Sequence, residues 1–363
     1  MKWSWKLARV AGVDIHVHAT FLLLLAWVAL LDYRLSGTAG GAARGVLFIL
    51  ALFASVVVHE YGHALTARRF GVRTRNITLL PIGGVAQLER MPENPRQELL
   101  VAVAGPAVTI AIVIALYVAL KLLGLSTVAP NAMAGDAAAP FLARLMWINV
   151  VLALFNLLPA FPMDGGRVLR AVLAMRTDYV RATETAARVG KAFAFVFGMI
   201  GLLYNPFLVL IALFVWMGAA AEAATAQFRG ALADVPVERV MITDVRTLSP
   251  RDRLGTAIDH ILSGFQQDFP VVDDTTVVGV MTRTDLLAAL AQRGRDAPVA
   301  DVMNRTFQTA EPTELLATAF ERLRECRCRT LPVLRDRQLV GVLTMENVGE
   351  FVMIESALRG PSA

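Results

Sequence analysis

Long apolar runs dominate the chain up to about Phe228, and the remainder has the composition of an ordinary soluble domain. This distribution restricts the fold more than any other feature. Inside a bilayer every backbone polar group must be satisfied within the protein, which leaves helices or closed barrels as spanning structures. Over the whole chain 56% of residues are hydrophobic and 18% charged. Soluble domains run at about 45–50% and about 25%, so the excess is large enough to signal spans. The candidate spans are residues 19–31, 45–65, 99–123, 141–158, 192–203 and 206–227. The first and fifth fall short of the ~20 residues an average span needs, so their ends are the least defined.

Positive charge orders these spans. Lys2, Lys6 and Arg9 precede the first; Arg68, Arg69, Arg73 and Arg75 follow the second; Arg167, Arg170, Arg176 and Arg181 follow the fourth; Arg229 follows the sixth. Residues 126–140, between the third and fourth spans, hold no Lys or Arg. Six spans with this bias put both termini and the soluble part in the cytoplasm of a multi-pass cell-membrane protein. The formal net charge of +5 belongs to the same pattern. No compact basic patch is interleaved with aromatics, which argues against nucleic acid as a partner. Cys326 and Cys328 are the only cysteines and read as two reduced thiols rather than a disulfide framework. The first run leads into Asp32-Tyr33-Arg34 without a small-residue cleavage site, so it reads as a retained span and not a signal peptide.

The segment 76–90 (NITLLPIGGVAQLER) is short, partly alternating, and has Gly83-Gly84 at its centre. It predicts a strand pair or re-entrant loop. Such backbone survives at membrane depth only against protein or a wet cavity.

The soluble part repeats itself at an offset of 62 without a gap. Val237, Val240, Met241, Pro270, Val271, Gly279 and Thr282 recur as Val299, Val302, Met303, Pro332, Val333, Gly341 and Thr344. Each copy predicts a helix (256–262; 318–323), a strand through the Pro-Val step, a second strand (277–281; 339–343) and another helix. Two copies suggest a paired α/β domain with pseudo-twofold symmetry, since solenoids need at least three.

The second apolar run contains His59-Glu60-Tyr61-Gly62-His63. Residues four apart share a helix face, so both imidazoles can reach one ion. Zinc takes three protein ligands and keeps an open position, and the intervening Glu can act as general base. If the span ends near Arg69, His59 lies about 15 Å inside it. Ionisable residues at that depth are costly and point to a function. Downstream, Asn156-Leu-Leu-Pro159-Ala-Phe-Pro162-Met-Asp164-Gly165-Gly166 ends the fourth span. Its prolines break the helix, and Asp164 can project toward the two histidines as a third ligand. Capping a helix that begins near Arg167 is the competing role for Asp164. Beside an intramembrane HExxH, the ligand role is preferred.

HEYGH in a membrane helix, the downstream NLLPAFPMDGG and the terminal repeat together resemble the site-2 protease family of intramembrane metalloproteases. The likeness is to the branch with a fused CBS pair and covers essentially the whole chain; residues 12–25, Gly83-Gly84 and Gly105-Pro106 also fit. It implies one Zn2+ per chain on His59, His63 and Asp164, with Glu60 as catalytic base. It also implies that Asn156 steadies substrate or oxyanion. The fold implied is multi-domain: a polytopic α-helical membrane domain of about six spans with a re-entrant β segment, plus an α/β CBS pair. Its expected boundaries are 1–228 for the protease, 237–292 for the first CBS unit and 298–354 for the second.

The resemblance further implies regulated intramembrane proteolysis of transmembrane protein substrates in contact with membrane lipid. Through the CBS pair it implies an adenine nucleotide (ATP, ADP or AMP) as regulator. Nucleotide contacts in such modules come from a Thr-x-x-Asp after the second strand. Here that is Thr282 and Asp285 in the first copy, and Thr344 with Asn347, amide for acid, in the second. A scaffold that binds nothing is the bland alternative. The resemblance offers a CBS-mediated homodimer but does not fix the oligomeric state. Another class of protein, a nucleotide-gated channel or transporter, also joins spans to a CBS pair. A permeation path, however, needs no general base between two ligands. His16 and His18 share a face of a possible strand before the first span and are expected to pack at the interface rather than bind metal.

Overall fold

A computed structural model of the chain describes residues 3–81, 83–88, 94–127, 141–264, 266–326 and 330–359. Lys2, Ile82, residues 89–90, most of the 126–140 connection and Cys328 lie outside the described residues. The chain divides into two units, Met1–Ala226 and Gln227–Ala363.

The first unit opens with strands β1 (Ser4–Val10) and β2 (Val13–His18), followed by helices α1 (Ala19–Ser36) and α2 (Ala39–Arg69). Then come β3 (Thr74–Leu80), β4 (Gly83–Leu88), α3 (Pro95–Leu122), α4 (Phe141–Asn156), α5 (Asp164–Ala174), α6 (Tyr179–Tyr204) and α7 (Pro206–Leu232), whose last six residues belong to the second unit. Among the described residues, five helices (α1, α2, α3, α6 and α7) are long and apolar enough to cross a membrane, and the shorter α4 is also apolar. The six expected spans are therefore all helical, but several reach beyond their apolar stretches. Gly37, at φ 67° with its N–H on the Tyr33 carbonyl, stops α1 past the charged Asp32 and Arg34. The Thr38 side chain then caps α2 by accepting from the Gly41 N–H. Asp178 caps α6 by accepting from the Val180 and Arg181 N–H groups, so that helix starts 13 residues before the run at 192.

The 76–90 segment forms the antiparallel pair β3–β4, with Leu79 opposite Gly84. Unexpectedly, it is half of a larger sheet of order β1-β2-β3-β4, in which β2 runs parallel to β3. The sheet's apolar face is held by Val17 and Leu79 against Phe21 of α1 and Phe53 of α2. His18 caps α1, its Nδ1 accepting from the Thr20 N–H, while Asp14 pairs with Lys6 at 2.7 Å.

In the second unit each copy supplies helix, strand, strand, helix: α8 (Leu254–Leu262), β5 (Phe269–Asp273), β6 (Thr276–Met281) and α9 (Arg283–Arg293), then α10 (Leu316–Glu325), β7 (Thr330–Arg335), β8 (Gln338–Thr344) and α11 (Met345–Arg359). The sheet order is β5-β6-β8-β7, and its two halves meet at Thr276 opposite Gln338, which are 62 residues apart. The same offset relates the irregularities at Val271/Val272 and Val333/Leu334. The cores are crossed. Val235, Val237 and Val240, which precede the first copy's helix, pack with Leu316, Leu331 and Leu343 of the second. Val299 and Met303 pack with Leu254, Phe269 and Met281 of the first. Each lobe thus completes its core with the other copy's leading segment, and the pair is one folding unit.

Candidate metal centre

Helix α2 presents His59 and His63 one turn apart, both buried. The Phe161–Pro162 peptide is cis, and the chain reverses after α4 so that Asp164 becomes the first residue of α5. The reversal is tight: a Cβ on Gly165 would stand 2.2 Å from the Leu158 carbonyl oxygen, and one on Gly166 2.6 Å from the Phe161 nitrogen. Met163, not Asp164, occupies the cap position of α5 and makes no side-chain capping bond. The Asp164 carboxylate is turned to the histidines instead.

Three atoms converge. His63 Nε2 lies 3.2 Å from His59 Nε2 and 3.1 Å from Asp164 Oδ2, and His59 Nε2 lies 3.2 Å from the same oxygen. The outer ring nitrogens fix the tautomers. His63 Nδ1 faces the Val101 carbonyl at 2.7 Å, an acceptor only, so Nδ1 carries the proton and Nε2 turns a lone pair inward. His59 Nδ1 lies 2.9 Å from Thr109 Oγ1, which also has the Gly105 carbonyl at 3.4 Å; a hydroxyl donating to that carbonyl accepts from Nδ1–H. That leaves His59 Nε2 as a second inward lone pair. Three lone-pair donors facing one another at this range repel unless a cation sits among them. A tetrahedral zinc with ligands at about 2.0–2.1 Å would set donor pairs about 3.3 Å apart, so this donor set fits the ion. Among the described residues, these three form the one such group of His, Cys, Asp or Glu.

Glu60 is half-buried beside this triangle. Strand β4, at the edge of its sheet, runs directly against it: a Cβ on Gly84 would stand 3.0 Å from Glu60 Cγ. Asn156 is the last residue of α4, half-buried, at the start of the reversal that delivers Asp164. Sequence reading misses Thr109 and the Val101 carbonyl. A hydroxyl in an otherwise apolar span is the available signal for the first; a backbone acceptor leaves none.

In the second unit a cleft of about 890 Å³ is lined by Thr282, Arg283, Thr344 and Asn347 together with Arg246 and Asp244. Thr282 donates to Asp285 Oδ2 at 2.7 Å and accepts from the Asp285 N–H. Thr344 repeats this with Asn347 Oδ1 at 2.7 Å and the Asn347 N–H. Both motifs therefore act as helix caps, and both threonines line the cleft.

Residues 47–129 and 121–197 match the model of peptidase family M50, and residues 237–292 and 299–353 match that of the CBS domain. The chain is 33% identical to zinc metalloprotease MJ0392 of Methanocaldococcus jannaschii, over 87% of each chain. It is 31% identical to the Mycobacterium tuberculosis protein Rip3, over 97% of this chain and 93% of that one. Among solved structures, the site-2 protease from Methanocaldococcus jannaschii is 36% identical, covering 61% of this chain and 95% of its own, with a TM-score of 0.45.

Proposed function

The chain belongs to peptidase family M50, the site-2 protease family, as a multi-pass zinc metalloprotease joined to a CBS pair, and from that premise we propose that it cuts transmembrane proteins within or near their spans. The observation that carries the reading is the convergence of His59, His63 and Asp164 beside Glu60. In it, those three residues would hold the zinc. When bound, zinc supplies the Lewis acidity that lowers a water's pKa toward about 7 and polarises the scissile carbonyl. Glu60 accepts the proton of the attacking water as the C–O bond forms, then passes it to the leaving amine as the C–N bond breaks. Asn156 donates its amide N–H toward the developing oxyanion. Val101 and Thr109 hold the imidazoles so that no reorganisation is needed during the step.

A helical substrate hides its peptide bonds, so it must be extended before it can be cut. The outer edge of β4 offers backbone groups for strand addition directly beside Glu60. Both termini and the CBS pair are assigned to the cytoplasm by the positive-inside pattern. Metal analysis of the purified chain is expected to find about one zinc. Chelation should stop cleavage of a single-span substrate and zinc should restore it; an active protein free of metal would overturn the reading.

The CBS cleft is assigned to an adenine nucleotide. Thr282 and Thr344 present hydroxyls to the ribose, Asp285 acts through Thr282, and Arg246 and Arg283 offer charge to phosphate. Titration calorimetry of the full chain with ATP, ADP and AMP should detect binding. Asp285 does not line the cleft, so Asp285→Ala should weaken binding only by releasing the Thr282 hydroxyl. The charge-assisted bond lost is worth about 1.5–3 kcal/mol, which bounds the effect at roughly ten- to a hundredfold, and Asn347→Ala should cost less. No heat with any of the three at millimolar concentration would leave the pair as a scaffold.

A further inference from the structure

Arg170 stands in the sequence among the charges that follow the fourth span, yet it is 2% exposed. Its Nε donates to Glu98 Oε1 at 2.7 Å, with Nη2 2.6 Å from the same oxygen, and its Nη1 donates to Glu222 Oε2 at 3.0 Å. The guanidinium lies 5.1 Å from the ring centroids of both Phe161 and Tyr179. One side chain on α5 thus engages α3, α6, α7 and the reversal before Asp164. Such a buried group contributes little net stability, because desolvation offsets the attraction; its documented use is to specify how elements register.

The register at stake here is that of α5 on α3. Helix α2 carries both histidines, and α3 orients their rings through the Val101 carbonyl and Thr109, so the edge between them does not involve α5. The two edges to Asp164 depend on where α5 docks. Glu98 lies one turn before Val101, the residue whose carbonyl orients His63. The geometry points to Arg170 as a positioning residue that holds the Asp164 leg of the metal site at its 3.1–3.2 Å separation from the histidines. The inference rests on the metal reading and adds a determinant that touches neither metal nor substrate.

The test is the rate of zinc loss from the full-length protein in detergent to an excess of chromophoric chelator, read beside the melting temperature. Arg170→Met alone would strand the buried Glu98, so the informative variant is Glu98→Leu/Arg170→Met, which removes both buried charges at similar volume. It is expected to melt near the wild type while losing zinc about ten- to a hundredfold faster, the scale of outer contacts at metal sites. Arg170→Lys keeps the charge but not the planar fork that spans two carboxylates, and should fall between. It carries the test if the double variant does not fold. Zinc loss at the wild-type rate in the folded variants overturns the inference. Wild-type protein that holds no zinc, or His63→Ala protein that holds it as firmly, would instead overturn the metal reading.

Discussion

Replacing Glu60 by Gln is expected to lower cleavage by about 10²–10⁴-fold, the usual range for loss of a positioned general base. Zinc content should stay at about one per chain. The two outcomes separate because Glu60 is not among the three converging donors. The amide has the carboxylate's size and can still pack against β4 at Gly84, so neither helix nor strand is disturbed. What it cannot do is accept the proton of the attacking water. Cleavage of a single-span substrate and metal analysis on one preparation make the measurement. Undiminished cleavage would mean that another group takes the proton, and the assigned mechanism would fail. Loss of zinc together with activity would instead make Glu60 part of the metal's support.

The elements set by local pattern are legible in the sequence, and those set by packing are not. The HExxH spacing places two rings on one helix face wherever that helix lies, so the pair can be found before any fold is known. The 62-residue repeat carries over to the strand pairing and even to matched irregularities in each half-sheet. The sheet beside the metal is only half visible. Segment 76–90 announces its own hairpin, but the parallel pairing of β2 with β3 joins strands separated by two long helices, and nothing local marks it. Helix α6 reads short because its first half is polar; its cap at Asp178, not its hydropathy, marks the start. Arg170 passes for a cytoplasmic surface charge because composition cannot tell an exposed arginine from one enclosed by two carboxylates and two rings. The crossed cores of the CBS pair escape for the same reason: a repeat offset relates residues to their counterparts, not to their neighbours.

Replacing Gly105 by Ala sets two physical effects against each other, and the site is expected to decide the outcome. On helix propensity alone, Ala in the interior of α3 should favour the helix by about 0.5–1 kcal/mol. A Cβ at this position, however, would lie 2.1 Å from His63 Nε2, 2.6 Å from Cε1 and 2.7 Å from Cδ2. Those distances are far inside contact range, so something must move. The backbone of α3 is packed along α2, whereas the imidazole is the far end of a rotatable side chain. The ring is therefore the part that yields. Swinging out breaks the 2.7 Å contact with the Val101 carbonyl and takes one of three donors away from the metal. Gly105→Ala should leave a folded protein that melts near the wild type in chelator, yet holds little zinc and cleaves nothing. Gly349→Ala is the matched control, since the added Cβ would meet nothing within 4 Å beyond its own stretch of helix; it should retain both zinc and activity. Full zinc occupancy in Gly105→Ala would show that His63 can bind from another rotamer, and that the close approach of α3 is packing without a part in the metal site.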